Sequence, residues 1–335
     1  MKFTTCDQPG DAAQPQCPLC GSVDTLFERR IDTGSIAKLY GKALQELVLH
    51  EFQGICWIRV YRCRNCFLGF FEPKVPGSAA FYASLRFFEW YYLKDKAEYD
   101  IAMRWIPPNA SVLEVGCGAG WFASRLSRPR YVGLEYSESA AEEARTRGLD
   151  VRNESVQEHS VAHKSAYQVV CAFQVLEHVP DPASFIAGCL DCLEPNGVLI
   201  YAVPSEDSYL QFCQNAALNL PPHHLTRWPD KTLEAVSQLF PVSLVAIEHE
   251  VVSDMHLNAC VSTMIRRRLD RLFGRKATIV DRSIDARILN RCAAALAKWL
   301  LPMFEETVFR PRGHTVIATY RKQMQDDLER AEKRN

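Results

Sequence analysis

Apolar and polar positions change their spacing along this chain. From Ser111 to Val203, short apolar runs alternate with stretches of helical period. Ser111-Val-Leu-Glu-Val115, Arg130-Tyr-Val-Gly-Leu134, a short run from Val151, Tyr167-Gln-Val-Val-Cys-Ala-Phe173 and Val198-Leu-Ile-Tyr-Ala-Val203 read as five strands. Residues 121–126, 137–147 and 181–193 read as helices. Ser137 and Asp181 suit N-caps, Pro182 suits a first helical position, and Asn196-Gly197 marks a turn. Such alternation implies an α/β fold, a doubly wound and mostly parallel sheet with crossover helices. Val242-Ser-Leu-Val-Ala-Ile247 and Thr315-Val-Ile-Ala-Thr-Tyr320 add strands six and seven. About 60 residues of helical pattern separate these two, more than an ordinary connection needs.

Composition and charge narrow this picture. The chain has 335 residues, 47% of them hydrophobic and 24% charged, which excludes wholesale disorder. Its 39 basic and 40 acidic side chains give a net charge of −1, which argues against a protein-wide cationic field for nucleic acid. Residues 1–15 are polar with no apolar core after Lys2, and the chain contains no long apolar run. The expectation is a cytoplasmic protein without a secretory leader.

Thirteen cysteines stand out in such a chain. Four form the pairs Cys17-Pro-Leu-Cys20 and Cys63-Arg-Asn-Cys66. A two-residue spacer lets one knuckle direct two sulfurs at one ion, and two knuckles complete a closed tetrahedral site of the structural zinc kind. Ile58-Arg-Val-Tyr-Arg-Cys63 alternates like a strand entering the second pair. Cys6 and Cys56 lie nearby as unpaired substitutes. The other cysteines, including Cys189 and Cys192 on a helix, read as small buried hydrophobes.

The end of the first strand carries Gly116-Cys-Gly-Ala-Gly120, and the second ends at Glu135. Ligands of open parallel sheets sit outside the carboxyl ends of the strands. A glycine loop there, with an acid able to accept from both ribose hydroxyls, indicates an adenosine-containing cofactor. The spacing is GxGxG, preceded by Glu114 and followed by bulky Trp121, unlike the GxGxxG of dehydrogenases. A carboxylate under the loop suits a cofactor bearing an amino-acid cation.

Val112-Leu-Glu-Val-Gly-Cys-Gly-Ala-Gly120 resembles the first motif of class I S-adenosylmethionine-dependent methyltransferases. Phe173-Gln-Val-Leu-Glu-His-Val-Pro-Asp-Pro182 resembles their segment after the fourth strand. A bacterial subset of that family also resembles the N-terminal half, with its CPxCG and CxxC pairs. The resemblance implies a seven-stranded sheet whose strands six and seven lie antiparallel beside strand five. It also implies S-adenosylmethionine as cofactor and structural Zn²⁺ on Cys17, Cys20, Cys63 and Cys66. Gly116, Gly118 and Gly120 would line the methionine end of the cofactor, with Glu114 organising the loop. Glu135 would hold the ribose, Tyr136 would flank the adenine, and Ser155 and Val156 would border its edge. The family usually has Asp where Ser155 stands. Phe173 and Gln174 would pass beneath the sulfonium.

Methyl transfer to a protonated acceptor invites a base of near-neutral pKa, for which histidine is the first candidate. His178 follows the fourth strand, and His223 and His224 sit in Pro221-Pro-His-His-Leu-Thr-Arg-Trp228 after the fifth. These are the catalytic candidates. Alternatively, Glu177 with these histidines binds a divalent metal. His159, His163 and His249 read as surface residues, and His314 as a structural element opening the last strand.

The expected organisation is a zinc-ribbon-like module at 1–78 and a cofactor domain at 79–252 and 306–322. A helical insertion at 253–305 and a charged tail at 323–335 complete it. The aromatic segment 81–99 would lead into the core and cover the cofactor. Met264-Ile-Arg-Arg-Arg-Leu-Asp-Arg-Leu-Phe-Gly-Arg-Lys276 is basic and amphipathic, so 264–304 is either a packed helical pair or a peripheral membrane contact. The expected reaction is methyl transfer to a small molecule, sugar or glycan, at oxygen. The alternatives are a nucleic-acid methyltransferase and a non-catalytic scaffold with a zinc interaction module.

Overall fold

The computed structural model describes residues 14–85, 94–127, 130–276, 278–304 and 310–324. The first part of the chain runs β1 (Thr25–Asp32), α1 (Thr33–Ala37), α2 (Gly41–Glu51), β2 (Trp57–Cys63), β3 (Gly69–Glu72) and α3 (Ala79–Leu85). The middle runs α4 (Ala97–Met103), β4 (Ser111–Val115), β5 (Arg130–Leu134), α5 (Glu138–Thr146), β6 (Asp150–Arg152), α6 (Val156–Ala162), β7 (Tyr167–Phe173), α7 (Pro182–Cys192) and β8 (Leu193–Pro204). Then follow β9 (Thr226–Arg227), α8 (Asp230–Leu239), β10 (Val242–Val251), α9 (Asp254–Leu272), α10 (Ile284–Leu300) and β11 (Arg312–Lys322).

Seven strands form one sheet in the order β10-β11-β8-β7-β4-β5-β6. Neighbours from β8 to β6 are parallel, while β11 runs antiparallel to both β8 and β10. This is the doubly wound, mostly parallel architecture expected from the alternation of strand and helix patterns. β7 is buried at every position except Gln168, as its nearly continuous apolar run requires between two helical layers. Asp181 caps α7 by accepting from the Ser184 amide at 3.0 Å, with Pro182 in the first turn. Ser155 and Glu158 close a capping box at α6.

Three local expectations differ from the structure. Residues 121–126 form only a 3-10 turn over Ala123–Arg125, where the Ser124 hydroxyl donates to the Trp121 carbonyl and competes for a backbone acceptor. Ser137 occupies the N-cap of α5 without a side-chain capping bond, because its hydroxyl pairs with Ser139. Asn196-Gly197 does not separate helix from strand. It bulges within β8, whose pairing with β7 skips from Leu193 to Val198.

A second sheet has the order β1-β2-β3-β9, all antiparallel. Its last strand, only two residues long, comes from the segment after β8. The Phe71 amide also bonds the Leu225 carbonyl at 3.1 Å, so the N-terminal sheet grips the segment that follows His223 and His224. Helices α9 and α10 pack on each other between β10 and β11. Among the described residues, no helix is long and apolar enough to cross a membrane.

Candidate active site

Two clusters of chemistry lie at the carboxyl ends of the parallel strands. The first is the glycine loop after β4. Gly118 has φ +53°, and a Cβ built there meets nothing within 4 Å. Its side therefore faces open space. Gly120, at φ +76°, is different: a Cβ there would stand 2.3 Å from Leu149 Cδ1. One glycine keeps a cleft open and the other permits close packing.

Glu135 ties the loop to the end of β5. Its carboxylate accepts from the Gly118 amide at 2.9 Å and from the Ser137 amide at 2.7 Å. Each carboxylate oxygen has further lone-pair capacity for a ribose hydroxyl. Glu114 is buried under the loop and accepts from Tyr131 Oη at 2.5 Å. Burial pushes its carboxyl up to about 8, against the opposing Tyr131 bond. The loop amide is thus held by Glu135, while Glu114 faces β5.

The remaining cofactor candidates differ in exposure and in their partners. Tyr136 is 70% exposed. The Ser155 hydroxyl is engaged in its capping box, and Val156 is buried in the core. Phe173 is buried against Tyr99 and Phe122, whose rings lie 5.1 and 4.7 Å away. Gln174 has φ +57°, and its amide nitrogen reaches Glu98 Oε1 at 3.5 Å and Thr315 Oγ1 at 3.3 Å. Glu98 was not singled out from the sequence. It is buried, and that burial pushes its pKa up. The only signal for it was an acid in an aromatic-rich stretch. Residues 86–93, the middle of the segment 81–99 expected to cover the cofactor, lie outside the described residues.

The second cluster joins the three histidine candidates. The His178–His223 and His223–His224 ring centroids are each 4.5 Å apart, and His178–His224 are 4.8 Å apart. His178 comes from the 3-10 turn after β7, while the other two come from the loop before β9. Their Nδ1 atoms are anchored. His178 meets the His223 carbonyl at 2.6 Å, His223 the Leu218 carbonyl at 2.8 Å, and His224 the Asn219 side-chain oxygen at 3.3 Å. Tyr82 Oη, a contact unforeseen from sequence, lies 3.2 Å from His178 Nδ1. Burial holds His178 down at about 4 and the other two well below the ordinary histidine value, so all three rings are neutral at pH 7. Glu177 is buried beside them and pushed up to about 8 by burial.

The expected surface histidines need correction. His159 is 1% exposed, with Nδ1 2.7 Å from Glu154 and Nε2 2.8 Å from Tyr167 Oη, because this face of α6 turns toward β7. His163 stacks on it at 4.0 Å, and His249 is held by Asp230 at 2.9 Å. His314 Nδ1 lies 2.8 Å from Glu250, a carboxylate that also accepts the His314 and Thr315 amides and so pins β11 to β10.

The four paired cysteines converge as well. Cys17 and Cys66 sulfurs are 3.5 Å apart, as are those of Cys20 and Cys63. A disulfide would bring sulfurs to about 2.05 Å. Four thiolates around one zinc with Zn–S bonds of about 2.3 Å stand roughly 3.8 Å apart. The donor set and spacing therefore fit a tetrahedral ion. Cys6 lies outside the described residues, and Cys56 is not one of the four converging sulfurs.

The chain is similar to known proteins in part of its sequence and in its fold. Residues 89–243 match the family model described as a methyltransferase domain. The chain is similar to the ubiquinone biosynthesis O-methyltransferase of Sodalis glossinidius, 35% identical over 100 residues, 28% of this chain and 40% of that one. It is also similar to the enzyme of that name from Hydrogenovibrio crunogenus, 31% identical over 126 residues, 34% of this chain and 52% of that one. It thus spans about half the length of these curated relatives or less. Among solved structures, it is similar to an S-adenosylmethionine-dependent methyltransferase from Archaeoglobus fulgidus, with a TM-score of 0.43, 15% identity, and coverage of 73% of this chain and 95% of that one. Residues 89–243 of this chain are thus similar to a methyltransferase domain.

Proposed function

We propose that this chain transfers a methyl group from S-adenosylmethionine to oxygen of a small-molecule or saccharide acceptor. The observation that carries this reading is the bridge from Glu135 to Gly118, which joins the open glycine cleft to an acid at the end of the second strand. Bound cofactor supplies an electrophilic sulfonium methyl. Gly116, Gly118 and Gly120 line its methionine end, with Glu114 supporting the loop from below. Glu135 holds the ribose, Tyr136, Ser155 and Val156 border the adenine, and Phe173 and Gln174 underlie the sulfonium. One of His178, His223 and His224 takes the acceptor's hydroxyl proton at Nε2. The anchored Nδ1 atoms support this role, because a neutral ring whose Nδ1 donates presents Nε2 as an acceptor, although burial makes each ring a weaker base than the near-neutral histidine such a step invites.

The relatives' shared name supports oxygen as the accepting atom and adds a ubiquinone precursor to the acceptors worth testing. A cavity of about 370 Å³ adjoins the histidines through Asn219, and five arginines, Arg29, Arg227, Arg267, Arg271 and Arg275, outnumber three acids, Glu28, Glu206 and Asp270, in its lining. That lining supports an acceptor with an anionic part, such as a sugar nucleotide. Residues 1–78 are a zinc-ribbon-like module, 79–252 and 306–322 the cofactor domain, 253–305 a helical cap, and 323–335 a tail. Along α10, Ile284, Ile288, Leu296 and Trp299 are exposed beside Arg287, Arg291 and Lys298. This stripe supports peripheral contact with an anionic membrane.

Labelled S-adenosylmethionine offered with sugar nucleotides, lipid-linked glycans, ubiquinone precursors and small phenolics tests the reading. Enzyme-dependent label in one class is expected. No label in any of them would refute the acceptor assignment.

A further inference from the structure

The histidine trio encloses a feature that a base alone does not explain. Glu177 is 1% exposed, and neither carboxylate oxygen has a hydrogen-bond partner among the described residues. A buried carboxyl without donors is costly. Two polar neighbours are also acceptors. Glu177 Oε1 lies 3.7 Å from His178 Nε2 and 3.9 Å from His224 Nε2, beyond hydrogen-bond reach. Because both rings donate from Nδ1 to anchored oxygens, each neutral ring turns a lone pair, not a proton, toward the carboxylate. Three acceptor atoms thus converge on one point, where a carboxyl proton could bridge at most one pair of them and a cation could satisfy all three.

We propose that His178, His223, His224 and Glu177 form a binding site for one divalent transition-metal ion, separate from the four-cysteine cluster. One candidate ligand atom from each histidine lies within 4.8 Å of the others. Metal–nitrogen bonds of about 2.0–2.1 Å set tetrahedral ligands roughly 3.4 Å apart, so the ring atoms close on an ion by moving about an ångström. The anchoring of Nδ1 by the His223 and Leu218 carbonyls and by Asn219 is the outer shell that orients metal-ligating imidazoles. Three imidazoles and one carboxylate favour zinc, cobalt, nickel or iron(II) over calcium or magnesium, which prefer all-oxygen sites. The rings come from two chain segments, and the Leu225 amide bonds the Glu177 carbonyl at 2.8 Å, so the donor set is braced before any ion arrives.

The site goes beyond the methyl-transfer reading without depending on it, and with the ion bound the ligating Nε2 atoms are no longer available to take the acceptor's proton. The test is titration of the metal-stripped full-length protein with Co²⁺, followed by absorption spectroscopy and metal analysis. Two ions per chain are expected. The cysteine site gives intense thiolate charge-transfer bands, and the histidine site gives weak visible bands alone. His224→Ala and Glu177→Gln should each weaken the second ion by at least about tenfold, with the thiolate bands retained as proof of folding. A thiolate spectrum alone at saturating cobalt would overturn the inference, as would visible bands of unchanged affinity in both variants. Methyl transfer without a second ion would overturn this site only, and a second ion without methyl transfer would overturn only the proposed activity.

Discussion

Gly118 and Gly120 sit two residues apart with similar backbone angles, yet alanine at each should fail for different reasons. Left-handed backbone costs a residue with a Cβ about 1–2 kcal/mol. At Gly118, φ +53°, that is the whole penalty, because the added methyl meets nothing within 4 Å. At Gly120, φ +76°, the methyl is driven to 2.3 Å from Leu149 Cδ1 and 3.3 Å from Ala144 Cβ. Overpacking of this kind adds about 1–3 kcal/mol, giving roughly 2–5 kcal/mol in all. Ligand binding should invert the ranking at Gly118, whose methyl projects into the cleft. We expect Gly118→Ala to weaken S-adenosylmethionine binding by more than about tenfold, or 1.4 kcal/mol. Urea unfolding with and without cofactor reads both quantities. Cofactor at roughly 100 times its Kd stabilises the parent protein by about 2.7 kcal/mol, and a tenfold weaker site keeps only about 1.4. Unchanged cofactor affinity in Gly118→Ala would refute the placement of the cleft. Equal stability loss in the two variants would refute the division of labour.

Three further outcomes follow from the geometry. Chelation of zinc, or Cys17→Ser, should lower the thermal midpoint, and should reduce kcat more than cofactor affinity. The reason is that the N-terminal sheet grips the segment after His224 through β9 and Leu225. Equal turnover with zinc content abolished would contradict that coupling. Glu114, held at about 8 when folded against an ordinary value of 4.5, binds a proton in the folded state that the unfolded chain has lost. Stability from this group is therefore present below pH 4.5 and lost as pH rises toward 8. The unliganded protein should weaken relative to Glu114→Gln by up to about 1.4 kcal/mol per pH unit, read by urea midpoints at pH 5 and pH 8. Singly changing His223 and His224 to alanine should lower kcat at saturating cofactor by about 10²–10⁴ for the residue acting as base. Unchanged kcat in both would remove them from the mechanism.

Legibility followed the range of the interactions involved. β4 and β7 run Ser111–Val115 and Tyr167–Phe173, the boundaries that their apolar runs imply, because central parallel strands are buried on both faces. The Asp181-Pro182 helix start was equally plain, since caps act within one turn. Residues 121–126 misled because the Ser124 bond to the Trp121 carbonyl leaves no trace in hydrophobic period. β9, at two residues, is defined only by its partner across the fold. The same holds for the site. The glycine loop, Glu135, the paired cysteines and the histidines carry recognisable chemistry. Glu98 and Tyr82 acquire theirs from contacts with Gln174 and His178, 76 and 96 residues away in sequence. The burial of His159 leaves no mark in the sequence, because the polar partners that permit it, Glu154 and Tyr167, meet it only in the folded state.

Calorimetric titration of the full chain with S-adenosylmethionine tests the central claim most directly. Saturable binding of one cofactor per chain is expected, and its loss in Glu135→Ala, whose side chain supplies the acceptor for the Gly118 amide. Absence of binding at millimolar cofactor, or unchanged affinity in Glu135→Ala, would contradict it.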